Sequence, residues 1–294
     1  MKFILLSDFH ITSKQPRSRI GNIIKDFKAK LRFIFRTAED NNADILQAGD
    51  LFNSPRDISA LYEFLKVRSK FPKVKTYSIF GQHDSYFRNQ RVLNNLSILE
   101  KANQIILLKN KPMQINNFNL YGCNWGDDIP KPEENKFNIL VIHKPINDKP
   151  LFSGHEFTSA ISFLKNNEFN LILTGDIHQK FIKFKYERII VNTGPILRRE
   201  FNEYNLSHKP QMFLFDTREP NCIETIYIPH VEAPFDSRFK IDDDLDLIDE
   251  DIFKILSEEN TLTIYNVMEE LINSHKNKKS IISIINKLES NYES

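Results

Sequence analysis

The sequence predicts a mixed α/β core built on two sheets, and three observations predict it. Through the first hundred residues or so, β-rich segments alternate with helical periodicity in the order β-α-β-α-β-α, which favours a sheet layered by helices. After Gln104 the apolar segments become short and are separated by turn residues, as in hairpin pairing. Five apolar runs end in an acid- or histidine-bearing stretch: Ser7-Asp8-Phe9-His10, Ala48-Gly49-Asp50, Gly81-Gln82-His83-Asp84, Val141-Ile142-His143 and Gly175-Asp176-Ile177-His178. If the runs before them are strands of one sheet, these polar residues emerge together at strand C-terminal ends, the edge where open α/β sheets bind ligands.

The elements follow in order. Phe3–Leu6 reads as a strand rather than a secretory signal, because its apolar run stops after four residues at a carboxylate. From Lys25 to Asn41, Phe27, Leu31, Ile34, Phe35 and Ala38 recur at helical spacing. Ile45–Gln47 is the next strand, and Ile58–Ser69 a helix with Leu61, Phe64 and Leu65 on one face. Lys75–Phe80 is a strand and Val92–Ala102 a helix. Ile105–Leu108, Met113–Ile115 and Phe118–Tyr121 are short strands, with Asn116-Asn117 as a hairpin turn. Then come strand Phe137–Val141, helix Phe157–Asn166, strand Leu171–Thr174, a hairpin of Phe181–Tyr186 with Ile189–Asn192, and strands Met212–Phe215 and Ile223–Ile228.

Beyond Pro229 the character shifts. The core is expected over residues 1–235, a carboxylate-dense linker over 236–251, and a small helical extension over 252–294. The extension holds three amphipathic segments, Ile252–Leu256, Tyr265–Ile272 and Ile281–Leu288. The last is more apolar than a free surface helix needs, so it folds back or docks on a partner.

Lys and Arg number 40 against 39 Asp and Glu, so overall charge does not mark a polyanion binder and any such site is a local patch. Cys123 and Cys222 form neither a disulfide framework nor a C-x-x-C metal pair, and a reduced cytoplasm is the expected setting. No apolar segment approaches the ~20 residues of a membrane span.

The chemistry lies in the five stretches. Asp8 and His10 are two apart, so an extended segment turns both to one side. Each stretch alone also makes an ordinary turn. Together in order, they supply the carboxylates, imidazoles and amide that a pair of divalent ions needs.

In that order the stretches resemble the calcineurin-like metallophosphoesterase superfamily, whose pattern is D-x-H, G-D, G-N-H-D/E, a lone H, then G-H-x-H. The resemblance spans roughly residues 1–230. Asp8-Phe9-His10 and Gly49-Asp50-Leu51-Phe52 look most like the DNA-repair nuclease branch typified by bacterial SbcD, with related phage recombination nucleases. Asn192-Thr193-Gly194-Pro195, and Ile228-Pro229 through Ala233-Pro234-Phe235, resemble that branch more loosely.

The resemblance implies a four-layer α/β/β/α core, two mixed sheets flanked by helices. It implies a DNA endo- or exonuclease of repair or recombination that hydrolyses phosphodiesters with two metal ions. Asp8, His10, Asp50 and His178 would hold one ion; Asp50 as the bridge, Gln82, His143 and Asp176 would hold the other. His83 would act on the scissile phosphate, with Asp84 orienting its ring. Such a pair of cations polarises the phosphate and stabilises attacking and leaving oxygens, while a nearby imidazole protonates the departing alkoxide. Members of the branch dimerise and work with an SbcC-like coiled-coil ATPase, for which residues 252–294 offer a docking segment.

Three positions depart from the pattern. Gln82 replaces the family's Asn, and Asp176 replaces the first His of G-H-x-H. The added oxygen donor favours a harder ion, so manganese is expected, with magnesium as the alternative. Asn53 stands where the branch commonly has a His after G-D-L-F; it can hydrogen-bond a phosphate but brings no charged proton, which favours endonuclease over exonuclease action.

Lys14, Arg17 and Arg19 follow the first ligand pair and read either as a phosphate-neutralising patch or as a solvated loop. Lys180, Lys183 and Lys185, taken as one face of a strand, and Arg198-Arg199 carry the same two readings. Tyr86, Phe87 and Arg88 read as packing, or as a stacking platform for a base. His155, His208, His230, His275 and Trp125 match no motif position. Two other functions stay open: a phosphatase or small cyclic-nucleotide phosphodiesterase of the same fold, and a non-catalytic DNA- or partner-binding subunit whose second metal site has degenerated.

Overall fold

In the computed structural model, strand β1 (Lys2–Leu6) is apolar on both faces: Phe3 and Leu5 enter one cluster, Ile4 and Leu6 another. That is the mark of a strand buried between two layers. It pairs parallel with β2 (Ala43–Gln47) and antiparallel with β13 (Gln211–Asp216). With β3 (Thr76–Ser78), β4 (Ile106–Leu107) and β14 (Ile223–Tyr227) they make a six-stranded sheet in the order β14-β13-β1-β2-β3-β4. A second six-stranded sheet runs β11-β12-β10-β7-β6-β5, from β5 (Met113–Ile115), β6 (Phe118–Cys123), β7 (Phe137–His143), β10 (Leu171–Gly175), β11 (Phe181–Lys185) and β12 (Arg188–Asn192). The structure describes residues 1–86, 92–151, 157–220, 222–236 and 238.

The layers follow from side-chain alternation. Phe3, Leu5, Leu46, Ile139, Val141, Leu171, Leu173 and Phe213 fill the space between the sheets. Ile4, Leu6 and Ile45 face the opposite way, onto Phe27, Ile34, Phe35 and Phe64 of the flanking helices. Leu140, Ile142 and Ile172 meet Phe163 and Leu164 on the outer face of the second sheet. The expected four-layer α/β/β/α core is therefore present. Each of these aliphatic or aromatic side chains contributes about 1.5–3 kcal/mol by burial.

Helix α1 (Ile23–Asp40) starts where the Asn22 side chain accepts from Lys25 N–H at 2.9 Å, and α2 (Ile58–Arg68) where Asp57 accepts from Ala60 N–H at 3.0 Å. Three starts differ from the periodicity, α1 by beginning two residues before Lys25. Helix α3 (Asn95–Lys101) begins three residues late because Asn94 caps it, accepting from Ser97 N–H. Helix α4 (Ala160–Asn166) begins late because Thr158–Ser159 forms a short strand, β9, paired with β8 (Ile146–Asn147). The pair β8–β9 and a short helix α5 (Glu203–Ser207) were not legible in the sequence.

Two expectations are corrected. The five acid- or histidine-bearing stretches do not follow strands of one sheet: β1, β2 and β3 lie in the first, β7 and β10 in the second. They still converge, because the two sheets stack with these strand ends together, as the distances below show. Lys180 does not share a face with Lys183 and Lys185. It precedes β11, three residues from Lys183, and its Nζ donates to Gln211 Oε1 at 3.2 Å. The acidic linker, the helical extension at 252–294, Phe87, Arg88, His155 and His275 lie outside the described residues. Among the described residues no helix is long and apolar enough to cross a membrane.

One buried cation ties α1 to the loop after β12. Lys30, 2% exposed, donates to Ile196 O at 2.8 Å and lies 3.3 Å from Asp26. Burial pulls its pKa down to about 8 despite Asp26. A lysine whose folded pKa lies below its unfolded value carries fewer protons when folded. Its contribution is then fullest above the unfolded value and lost as pH falls through about 8. Urea unfolding of wild type against Lys30→Met is expected to show the wild type gaining relative stability from pH ~8 to ~10. A flat difference across that window would contradict the assignment.

Candidate metal centre

Asp8 and His10 follow β1, and Asp50 follows β2. The expectation of an extended segment carrying Asp8 and His10 on one side fails. Their backbones are left-handed, with φ 49° and 46°, as are those of Asp50 at 52° and Asp176 at 95°. Such conformations cost a side-chain-bearing residue roughly 1–3 kcal/mol and persist only where the surroundings enforce them. Here the β1 and β2 loops are zipped together. Asp8 N–H donates to Gly49 O at 3.2 Å, His10 N–H to Asp50 O at 2.9 Å, Ile11 N–H to Leu51 O and Asn53 N–H to Ile11 O, both at 3.0 Å.

The third loop, Gly81 with the 3-10 turn Gln82–Asp84, packs against Asp50. Asp50 Oδ1 accepts from His83 N–H at 2.9 Å. Asp84 does not orient the His83 ring, which corrects the role the resemblance implied. Its buried carboxylate accepts three backbone N–H groups, from Leu51 at 3.2 Å and from Phe52 and Gly81 at 3.0 Å, so it fastens the second loop to the third. Burial, reinforced by the charge on Asp50, pushes Asp84 up to about 7.

From the second sheet, His143 ends β7. Its Nδ1 lies 2.7 Å from Ala48 O; a carbonyl only accepts, so Nδ1 carries hydrogen and Nε2 faces the site. Nε2 is 3.5 Å from Asp50 Oδ2 and 4.0 Å from Asp176 Oδ1. Burial alone would lower the His143 pKa, but Asp50, then Asp176 and Asp8, outweigh it and hold it well above its ordinary value. Burial likewise opposes the Asp50 charge, and His143 beside it holds that carboxyl well below the usual range. Burial pushes Asp8 up to about 7 against the charge of His143.

Asp176, after β10, donates its N–H to Asp8 Oδ1 at 3.1 Å. His10 Nε2 and His178 Nε2 face each other at 3.0 Å. Ser7 N–H donates to Thr193 Oγ1 at 3.0 Å, joining the end of β1 to the end of β12. Tyr204 OH donates to His178 O, and His208 Nε2 lies 2.7 Å from Pro195 O; sequence reasoning had given both residues no part in the site.

Three donor clusters result among the described residues. Asp8, His10 and His178 bring one ligand atom each within 4.8 Å of one another, and so do Asp8, Asp50 and His143. A third such cluster joins His10, Asp50 and His83. Asp8 Oδ2, His10 Nδ1 and His143 Nε2 are buried without hydrogen-bond partners. Each such group costs about 1–3 kcal/mol when left unmatched. Buried oxygen and imidazole nitrogen atoms, held by strained backbone, fit divalent cations, which would take the place of the proton on His143 Nε2. His83 differs from the rest: its side chain is 41% exposed, against 3% for His10 and 0% for His143. Gln82 and His178 are exposed.

The basic candidates divide. Lys14 and Arg17 are exposed. Arg19 and Arg198 are turned inward and are not substrate-facing. Arg19 donates to Arg198 O and Asp26, and Arg198 to Val231 O and to Glu232 O at 3.2 Å. Arg199 instead reaches the site, donating to Asn53 Oδ1.

The model of the family described as calcineurin-like phosphoesterase matches residues 1–180. Similar solved structures include an archaeal phosphodiesterase, 14% identical over 78% of this chain and 100% of that one, with a TM-score of 0.44. A protein of Thermus thermophilus is 13% identical over 78% and 99% of the two chains, at 0.48. Vps29 of Entamoeba histolytica, complexed with Zn2+, is 9% identical over 78% and 98%, at 0.39.

Proposed function

The chain belongs to the calcineurin-like phosphoesterase family, and from that premise we propose that it is a metal-dependent phosphodiesterase acting on DNA in the manner of the SbcD-type nucleases. The observation that carries the metal-dependent part is the set of three donor clusters in which Asp8, His10 and Asp50 each recur twice, with partnerless Asp8 Oδ2 and His143 Nε2 among them. Asp8, His10, Asp50 and His178 would hold one ion, and Asp50, Gln82, His143 and Asp176 the second. Bound there, the ions supply Lewis acidity toward a phosphate and an activated water. Manganese suits a set in which carboxylates and an amide accompany the imidazoles.

The remaining work falls to residues of the chain. His83, rooted through its N–H on Asp50 and open to solvent at its ring, is the group placed to give a proton to the leaving oxygen. The exposed mouth, with Lys14 and Arg17 on the loop after the first ligand pair, supports a polymeric substrate over a small ester. In the same reading the protein dimerises and engages an SbcC-like coiled-coil ATPase through residues 252–294.

The test is a manganese-dependent assay on single-stranded, blunt double-stranded and closed circular DNA beside a small phosphodiester. His83→Ala is expected to keep its bound metal and lose cleavage by about 10²–10⁴-fold. Hydrolysis of the small ester with all DNA intact would replace the nuclease reading by a small-substrate enzyme. A single ion per chain with no turnover would favour a binding subunit with a lapsed second site.

A further inference from the structure

A cation stands beside the ligand clusters. The Arg199 side chain is 20% exposed and donates through Nη1 to Asn53 Oδ1. Nη2 donates to Glu200 Oε1 at 3.3 Å, and Nε is buried without a partner. Asn53 is itself placed by its N–H on Ile11 O, one residue beyond His10. Asn53 therefore sits on the loop that carries Asp50 and is tied to the loop that carries Asp8 and His10, while Arg199 reaches it from the segment after β12.

Donor counting fixes what this pair presents. A guanidinium only donates, so Asn53 turns its oxygen to Arg199 and its NH2 group the other way. The pair thus offers N–H donors, with a guanidinium charge shared with the solvent-exposed Glu200, and neither the guanidinium nor the amide nitrogen adds an acceptor. A metal ion is repelled by such a pair; an oxyanion is matched by it. Structural anchoring does not account for Arg199. The segment before it is already fixed by Lys30 on Ile196 O, Arg19 on Arg198 O, and Arg198 on Val231 O and Glu232 O.

We propose that Arg199 and Asn53 clamp a non-bridging oxygen of the substrate's phosphoryl group beside the metal ligands. This rests on the phosphodiesterase reading of the site, and it gives that site its own anion-binding residues. Asn53, expected from its position after Gly-Asp-Leu-Phe to meet a phosphate, would do so with Arg199 as its partner.

The test titrates inorganic phosphate calorimetrically into manganese-loaded protein, titrates manganese separately, and measures KM and kcat on the small phosphodiester. Arg199→Ala is expected to weaken phosphate about 10- to 100-fold and to raise KM more than it lowers kcat, with manganese stoichiometry unchanged. Arg199→Lys should lose less, since charge survives while the fork is lost. Asn53→Asp keeps the acceptor for Arg199 but faces the ligand with an anion, so it too should weaken phosphate. Unaltered phosphate affinity in Arg199→Ala would overturn the clamp, as would a wild type that binds no phosphate. Manganese affinity falling in step with phosphate in all three variants would overturn it as well, marking a structural role. A wild type that binds phosphate through Arg199 yet hydrolyses no ester would defeat the enzymatic reading and leave the clamp standing.

Discussion

Asp50→Asn is expected to weaken both metal positions at once and to stop hydrolysis. Asp50 Oδ2 lies 3.7 Å from His10 Nε2, 3.5 Å from His143 Nε2 and 3.9 Å from His83 Nε2, so one carboxylate faces imidazoles delivered by both sheets. Asparagine keeps the Oδ1 acceptor that receives His83 N–H, so the second and third loops stay joined and the change is mainly one of charge. Losing an outer-shell partner of a metal already costs about 10- to 100-fold in affinity, which sets a floor for losing a shared ligand. Hydrolysis at saturating manganese should fall by at least about 10²-fold, the scale of removing one preorganised electrostatic group. An independent sign accompanies this. Burial opposes the charge on His143 and Asp50 chiefly sustains it, so in metal-free Asp50→Asn the His143 pKa should fall, as read from its imidazole resonances in an NMR titration. Two ions bound per chain at wild-type affinity would remove Asp50 from the bridging position.

The places where the sequence was legible are those where one side chain reports its own surroundings. Phe27, Leu31, Ile34, Phe35 and Ala38 lie on one helical face whichever layer they meet, whereas the caps Asn22 and Asp57 that set the helix starts were not read from the sequence. The strands β7 and β10 were legible as strands but not as members of a second sheet. An apolar run buried on both faces carries no mark of which sheet it joins, and Ile139 and Ile172 read alike. At the site, residue types and spacing marked Asp8, His10, Asp50, His143, Asp176 and His178. Their left-handed backbones at Asp8, His10, Asp50 and Asp176 were not foreseeable, since loop contacts rather than local preference impose them. Asp84 shows the same limit. Its partners Leu51 and Phe52 lie more than thirty residues upstream, so nothing in Gly81-Gln82-His83-Asp84 revealed that it fastens loops. Arg19, Arg198 and Arg199 are identical as letters, and only burial separates two structural guanidiniums from the one beside the ligands.

Gly81→Ala should damage the site by steric means alone. Gly81 has φ −90° and ψ −177°, an extended backbone open to alanine, so no conformational strain accompanies the change. An added methyl, however, would overlap Asp50 Oδ1 and the Asp50 backbone N, and would lie 2.7 Å from Asp50 Cγ. The obstacle is not a flexible tip. Asp50 is held at φ 52° between the His10 N–H bond and the Asp84 carboxylate that grips both neighbouring loops. Either Asp50 or Gly81 must move, and overpacking of this kind costs about 1–3 kcal/mol. For a domain of this size that corresponds to a Tm lower by roughly 2–4 °C per kcal/mol. Because the displaced atoms belong to the residue proposed to bridge two ions, manganese affinity is expected to fall together with Tm. Gly21→Ala separates the two effects: Gly21 has φ +82° with nothing within 4 Å of the added carbon. That variant should lose about 1 kcal/mol from backbone strain and keep its manganese affinity. If Gly81→Ala instead lowered Tm while binding manganese as wild type does, the loop would be able to yield without moving Asp50. The close approach at Gly81 would then serve stability and not the geometry of the metal centre.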